Sequence, residues 1–300
     1  MIKHRLTVQT PPNPEMLRKP EWLKVRGNFG DNYRNVKNLI GDLNLHSVCQ
    51  EASCPNIAEC FSHKTATFLL LGSVCTRGCT FCDIARGKPE HLDMDEPDRI
   101  VEAVRRMGLK YLVLTSVTRD DLKDGGAIIF AKCIEEIRKH LPEVQVEVLI
   151  PDFRGNKEAL KTVIDAKPVV LNHNMETAER LYPQVRRGSV YKRSLTLLAQ
   201  AKELDPEMIT KSGIMLGCGE TWEEILQVMD DLRKIKVDLM TIGQYLRPSL
   251  WHLPVAKYYH PDEFRKLAEV GRSKGFRNVF SGPLVRSSYH AGEQLSSPVY

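Results

Sequence analysis

The sequence predicts an α/β fold, a partial (β/α)6 TIM-type barrel with N- and C-terminal extensions. Three observations carry that expectation. Short aliphatic or β-branched runs alternate six times with amphipathic helical stretches, the pattern of repeated βα units. Consecutive runs are separated by enough chain for the right-handed helical crossover that parallel neighbours require. A chain of 300 residues with 42% apolar side chains is long enough to bury one large barrel core. A doubly wound open sheet is the alternative, since the same repeats build both.

The expected elements follow in chain order. Residues 1 to about 45, broken by Pro11, Pro12, Pro14 and Pro20, read as an extended arm anchored by Trp22, Leu23, Val25, Phe29 and Tyr33. Strands are expected at 66–71, 111–116, 144–150, 168–172, 209–216 and 238–246. Helices are expected near 97–107, 126–140, 156–166, 189–204, 221–236 and 261–274. In the fifth helix Trp222, Ile225, Leu226, Met229, Leu232 and Ile235 recur every three or four residues, so one face is apolar. Thr221 and Glu224 have the spacing of a capping box and mark its start. The organisation expected is an N-terminal extension over 1–62, a barrel over 63–275 and a C-terminal extension over 276–300. In a barrel the strand C-termini share one rim, which would gather Cys75, Thr115, Asn172, Gly217 and Gln244.

Composition narrows the function. A formal charge of +5, from 43 basic and 38 acidic side chains, falls short of a nucleic-acid footprint. No uncharged apolar run approaches the roughly 20 residues of a membrane span, and the N-terminus has no apolar signal core, so a cytoplasmic setting without membrane or nucleic-acid partners is expected. Two phosphate-binding patterns lose support: there is no GxxxxGK[ST], and Gly217 with Gly219 lacks the third glycine of a dinucleotide fingerprint.

Six of the eight cysteines fall within 34 positions. In a reducing compartment such clustering points to metal or redox chemistry more than to disulfides. Cys75, Cys79 and Cys82 form a CxxxCxxC just after the first expected strand, with Gly78 easing the turn. Three thiolates there can hold three irons of a [4Fe-4S] cube and leave the fourth open to a small molecule. A zinc knuckle is the competing reading, but structural zinc takes four protein ligands and this group has three. Cys49, Cys54 and Cys60 form a second, irregular CxxxxCxxxxxC that could hold another cluster. Cys133 lies with Ile129, Ile134 and Ile137 and reads as core, while Cys218 sits near the rim without reading as a ligand.

The CxxxCxxC, its preceding strand and Phe81 before the last cysteine resemble the radical S-adenosylmethionine (SAM) superfamily. Five segments then resemble the lipoyl synthase family: CQEASCPNIAEC from Cys49, CTRGCTFCDIARGKP from Cys75, LTSVTRDDLKDGGA from Leu114, LNHNMETAERLYPQVRRG from Leu171 and SGPLVRSSYHAGE from Ser281. The resemblance covers about residues 20 to 293. A biotin synthase-like enzyme, a methylthiotransferase or a two-cluster electron carrier would be the rivals, but the two rival enzyme families do not combine CQEASCPNIAEC with RSSY.

The resemblance implies two [4Fe-4S] clusters and SAM. Cys75, Cys79 and Cys82 would hold the SAM-binding cluster; Cys49, Cys54 and Cys60 would hold an auxiliary cluster with Ser287, or else Ser288, as fourth ligand. It implies SAM-derived 5′-deoxyadenosyl radicals and insertion of two sulfurs at C6 and C8 of an octanoyl-lysine, with the auxiliary cluster as sulfur donor. Implied partners are octanoylated lipoyl carrier domains (2-oxoacid dehydrogenase E2 or the glycine-cleavage H protein), a reductase with ferredoxin or flavodoxin, and an iron–sulfur cluster repair protein.

Candidate SAM contacts are Thr115, Ser116, Asp120, Asn172, His173, Glu176, Arg187 and Lys211. Simpler readings stand beside several of them. Asn172 could fix a turn, His173 could be a buried hydrogen-bonded histidine, and Asp120, Asp121 and Asp124 could cap the following helix. Arg154, Arg186, Arg187, Lys192 and Arg193 could meet an acidic carrier or form a solvated face.

Overall fold

Burial on both faces marks the central strands of the computed structural model, which describes residues 17–25, 27 and 29–296. The strands are β1 (Thr67–Leu70), β2 (Val74–Cys75), β3 (Ala85–Arg86), β4 (Tyr111–Ser116), β5 (Gln145–Leu149), β6 (Val170–Asn172), β7 (Ile209–Leu216), β8 (Leu239–Gln244) and β9 (Asn278–Gly282). Every residue of β1, β6 and β8 is buried, as a parallel sheet covered by helices requires. Seven strands pair in the order β1-β4-β5-β6-β7-β8-β9, all parallel, while β2 and β3 form a separate parallel pair. No pairing joins β1 to β9 among the described residues, so the barrel is partial.

The helices are α1 (Asp31–Asp42), α2 (Val48–Glu51), α3 (Ile57–Ser62), α4 (Glu96–Met107), α5 (Ala127–His140), α6 (Lys157–Asp165), α7 (Tyr182–Val185), α8 (Tyr191–Leu204), α9 (Trp222–Lys234), α10 (Pro261–Ser273) and α11 (Ala291–Ser296). Helices α4, α5, α6, α8, α9 and α10 are the crossovers, each lying between two consecutive strands of the large sheet. Helix α9 has the expected capping box from Thr221 and Glu224 and buries Ile225, Val228, Met229 and Leu232. Each such side chain contributes about 2 kcal/mol on burial, which outweighs the cap's contribution of about 1 kcal/mol. Cys133 is fully buried in the same core.

Two differences from the sequence reading have physical causes. The sheet gains a seventh strand, β9, inside the segment assigned to the C-terminal extension, so sheet and extension meet near Gly282. Its NVFSG is short and only half apolar, which hides it from a pattern search. The N-terminal arm is also not extended throughout. After a 3-10 turn at Glu21–Leu23 the chain forms α1, which buries Val36 and Ile40 at a spacing of four. Among the expected anchors Leu23 is wholly buried and Tyr33 packs on Phe61, whereas Trp22, Val25 and Phe29 are exposed. Pro11, Pro12 and Pro14 lie outside the described residues.

The parallel register places the rim. Leu69, Thr115, Leu149, Asn172 and Lys211 are neighbours in one row across β1, β4, β5, β6 and β7. Thr115 is the penultimate residue of β4 and Asn172 ends β6, but Lys211 is only the third residue of β7. Lys211 therefore lies well below its own strand's C-terminal end. There it forms a buried ion pair with Glu147 at 2.8 Å, and the Tyr111 hydroxyl donates to the other carboxylate oxygen at 2.8 Å. Helix α11 packs against β4 and β9.

Candidate active site

The first cysteine group hangs from β2, which follows a tight turn with Leu71 and Gly72 at positive φ. Cys75 lies on β2, the Arg77 amide donates to its sulfur at 3.4 Å, and the Cys82 amide donates to Cys79 O at 3.2 Å. The loop is fastened from several sides. Arg77, only 8% exposed, donates to both Asp120 oxygens at 2.7 and 2.8 Å, to Asp152 at 2.7 Å and to the Ser189 hydroxyl at 3.1 Å. Asp120, Asp152 and Ser189 come from segments following β4, β5 and β6, so one guanidinium ties three later repeats to the cysteine loop. The Thr80 amide donates to Val185 O, the Leu253 amide donates to Thr80 O, and His252 Nε2 lies 3.2 Å from Cys82 O.

The second group rides on short helices. Ser47 caps α2, which carries Cys49; the Cys54 amide donates to Cys49 O at 3.1 Å; Cys60 lies in α3. The Ser53 hydroxyl donates to Asp83, next to Cys82, at 2.6 Å, joining the two cysteine segments. The C-terminal segment closes over the same helices. Asn56 Nδ2 donates to Leu284 O at 2.8 Å, and Glu59 accepts from the Tyr289 hydroxyl at 2.8 Å with His290 Nε2 at 3.3 Å.

No three His, Cys, Asp or Glu side chains among the described residues are gathered closely enough to hold a metal ion. The thiols of each group nevertheless feel one another, and their chemistry is of the kind an iron–sulfur cluster takes. Burial, then the neighbouring Cys54 sulfur, pushes the Cys49 thiol up to about 12; burial lifts Cys60 and Cys79 to about 11 and raises Cys82 as well. Buried sulfurs that disfavour each other's thiolates are stabilised as thiolates by a cationic iron core.

Between the groups lie Glu176 and Arg186, which feel each other electrostatically. Glu176, at a left-handed φ of 67°, accepts from Asn174 Nδ2 at 3.1 Å. Burial raises its pKa against the opposing pull of Arg186. Arg186 also donates to Tyr182 Oη at 3.1 Å and Ser194 Oγ at 2.9 Å. Asn174 Nδ2 further donates to Ser287 Oγ at 3.0 Å, and Arg286, beside Ser287, feels Cys54 and Glu176 electrostatically.

A family model for the radical SAM superfamily matches residues 69–232, more than half of the chain. A model for the N-terminal domain of lipoyl synthase of the radical SAM family matches residues 5–54. A lipoyl synthase of a Geobacillus species is 56% identical over 95% of this chain and 96% of its own length. The chain belongs to the lipoyl synthase family. It is therefore a radical SAM sulfur-inserting enzyme. The lipoyl synthase of Koribacter versatilis is 55% identical over 93% of this chain and 92% of its own. Among solved structures, methylornithine synthase (PylB) superposes with a TM-score of 0.55 at 15% identity, covering 82% of this chain and 74% of that one. The [FeFe]-hydrogenase maturase HydG gives 0.57 at 17% identity, covering 70% and 50%. At such identities the two share the fold alone. As a radical SAM enzyme the chain uses SAM and a [4Fe-4S] cluster, and no helix among the described residues is long and apolar enough to cross a membrane.

The candidate SAM contacts divide. Glu176 faces the Cys79 and Cys82 side, and Ser116 Oγ is buried without a hydrogen-bond partner among the described residues. Thr115 Oγ1 donates to Leu149 O, Asn172 Nδ2 points to Glu147, and Lys211 is engaged with Glu147. Asp120 is engaged by Arg77. His173 is wholly buried between Ile150 O and Ser194 Oγ; burial, then Arg186, lowers its pKa to about 3, so it is neutral. Arg187 is exposed, and Arg186 is the arginine turned inward. Asp124 accepts from the Gly126 and Ile128 amides and caps the head of α5, while Asp121 pairs with Arg119. Gln244 and Gly217 brace the rim backbone: Gln244 Nε2 donates to Leu216 O and Lys257 O, and a Cβ on Gly217 would meet that amide at 2.3 Å. Cys218 is buried beside Tyr245 and Leu253.

Sequence reasoning missed Arg77, Asp152, Asn174 and Arg286. Asp152 and Asn174 each follow a strand end by two or three residues, so the rule that picked out Asn172 reaches them. The five-residue basic group separates as well: Arg186 is inside, Arg193 reaches Asp152, and Arg154, Arg187 and Lys192 remain exposed.

Proposed function

We propose that the chain inserts two sulfur atoms into a protein-bound octanoyl group. Cys75, Cys79 and Cys82 hold the SAM-binding [4Fe-4S] cluster, and Cys49, Cys54, Cys60 and Ser287 hold an auxiliary one. The observation that carries this reading is the polar chain between the groups: Glu176 faces Cys79 and Cys82, Asn174 links Glu176 to Ser287, and Arg286 faces both Glu176 and Cys54. It supports one cavity served by both cysteine sets. When bound, the first cluster with SAM supplies 5′-deoxyadenosyl radicals and the second supplies sulfur to C6 and C8 of the octanoyl chain.

The chain's own residues bind, orient and exclude water. Glu176 and Arg186, opposite in charge and close together, suit the ammonium and carboxylate of SAM's amino acid portion. Ser116 Oγ offers a free buried hydroxyl. The clasps from Asn56 and Glu59 to Leu284, Tyr289 and His290 bring the extensions over 1–62 and 276–300 together, which keeps solvent and stray hydrogen donors from a carbon radical. The octanoyl group arrives on a lipoyl carrier domain, of a 2-oxoacid dehydrogenase or the glycine-cleavage H protein, and exposed Arg154, Arg187 and Lys192 suit an acidic one. A ferredoxin or flavodoxin supplies electrons, a repair protein rebuilds the spent cluster, and the cytoplasm is the setting.

Anaerobic reconstitution should load about eight irons per chain, two cubes of four. With an octanoyl-lysyl peptide, SAM and reductant, mass spectrometry should find a dithiolated product. A fully loaded protein that yields neither mono- nor dithiolated peptide would overturn the assigned reaction.

A further inference from the structure

We infer that Asn174 is a positioning residue that couples the SAM pocket to the serine ligand of the second cluster. The inference deepens the two-cluster reading and rests on it. One amide nitrogen serves both sites, with Nδ2 3.1 Å from Glu176 Oε1 and 3.0 Å from Ser287 Oγ. Asn174 is 7% exposed, and its Oδ1 is buried with no partner among the described residues.

The backbone around it is built for this placement. Asn174 lies two residues beyond β6, and the next turn is pinned to β7 by the Glu176 amide donating to Gly213 O at 3.0 Å and the Met215 amide donating to Glu176 O at 2.8 Å. Gly213 leaves the room that the amide fills, because a Cβ there would stand 2.9 Å from Asn174 Oδ1 and 2.4 Å from Thr241 Oγ1.

The consequence follows from donor geometry. Asn174 offers two N–H groups to two acceptors, and its carbonyl is unsatisfied. A cation placed against Glu176, such as the ammonium of SAM, competes for the carboxylate oxygen that Asn174 now occupies. Released from Glu176, the amide can turn to align an N–H on Ser287 Oγ instead of dividing its orientation between two acceptors, and a hydrogen bond to a ligating oxygen steadies it as its anion. SAM in its pocket thus strengthens the hold of Ser287 on the auxiliary cluster, and the empty pocket relaxes it. Arg286 adds a cation adjacent to Ser287 that feels the same Glu176.

The test uses full-length reconstituted protein and reads iron, not turnover. Iron release to a chelator and the Mössbauer spectrum are recorded with and without SAM under conditions that do not reduce either cluster. In the unaltered chain SAM should slow release of the second cluster's iron. In Asn174→Ala that protection should vanish and release should quicken about tenfold, the range for lost hydrogen bonds to ligands. Asn174→Leu is close in size, offers no donor and adds no charge beside Glu176, so it should behave like Asn174→Ala even if the smaller alanine disturbs packing. Both variants should keep the SAM-dependent EPR change of the reduced Cys75, Cys79 and Cys82 cluster. SAM protection that persists in either variant overturns the inference, as does eight-iron protein whose release ignores SAM. A chain that loads only about four irons overturns the two-cluster reading itself.

Discussion

The two cysteine groups are fastened to the barrel in opposite ways. Around Cys75, Cys79 and Cys82 the ties are buried and ionic: Arg77 is 8% exposed, and its partner Asp152 is wholly buried. Around Cys49, Cys54 and Cys60 the ties are hydrogen bonds, one from the buried Asn56 side-chain amide and the others at a half-open seam, where the side chains of Glu59 and His290, 3.3 Å apart, are 39% and 37% exposed. Buried charge pairs cost much to open, whereas exposed contacts exchange readily. The first arrangement suits a cofactor retained through every turnover. On the proposed two-cluster reading, the second would suit one that is spent and rebuilt in place, because the exposed contacts at Glu59 open at lower cost than the buried ionic ones.

Breaking the buried side should have the largest effect. Arg77→Ala takes from the wholly buried Asp152 carboxylate its main partner, leaving Arg193 at 3.2 Å and the Arg154 amide at 3.0 Å. Burial pushes the Asp152 pKa up, but Arg77 holds it below the usual carboxylate range. We expect a loss of about 4 kcal/mol in urea unfolding of the iron-free chain, the scale for removing one partner of a buried ion pair. Arg77→Lys should recover only part, since an ammonium cannot fork across two carboxylates. A loss below about 1 kcal/mol would mean that the ionic knot does not fasten this loop.

Acid should separate the regions next. His173, behind the first group, has a folded pKa of about 3 against 6.5 when unfolded, with burial as the main cause. The unfolded chain therefore takes up a proton that the folded chain refuses as pH falls from 6.5 toward 3. Its contribution is present in full above 6.5 and drains away below, at about 1.4 kcal/mol per pH unit, reaching about 3 kcal/mol by about pH 4. His173→Gln should flatten that part of the stability–pH curve relative to the unaltered chain, and equal slopes would show that another group sets the acid limit.

On the open side, Glu59→Gln should cost only about 1 kcal/mol, the net worth of a hydrogen bond. Its signature is local: hydrogen exchange of residues 284–290 should quicken while the Cys75–Cys82 loop keeps its protection. Uniform protection across both segments would remove the contrast between the two seams.

How much of this was legible in the sequence depends on the range of the interaction. The six expected strands and helices are local patterns of period two or 3.6, and each appears close to its expected span. The cysteine sets were legible because their spacing is itself a short-range signal. Arg77 was not, since its partners Asp120, Asp152 and Ser189 stand 43, 75 and 112 residues away and meet it only when successive repeats close around the loop. Lys211 and Arg187 show the same limit. Strand position depends on register, which moves Lys211 below the rim, and Arg186 rather than its neighbour faces inward. Helix α1 was hidden by the prolines upstream of it, although Val36 and Ile40 carry a helical spacing.

The smallest effect tests how sharply the buried network ends. Asp120, Asp121 and Asp124 crowd one short loop, yet the first holds Arg77, the second pairs with Arg119, and the third accepts the Gly126 and Ile128 amides at 3.0 Å. Asp124→Ala removes a cap from α5 and nothing from the ionic knot. A loss of about 0.5 kcal/mol is expected, at the low end for such caps, because α5 buries seven side chains that hold it in place regardless. Iron retention at both cysteine groups should be unchanged. If Asp124→Ala instead weakened the first group as much as Arg77→Ala, the whole loop rather than the single guanidinium would be what fastens it, and the contrast between an ionic anchor and a hydrogen-bonded clasp would have to be redrawn around loop rigidity.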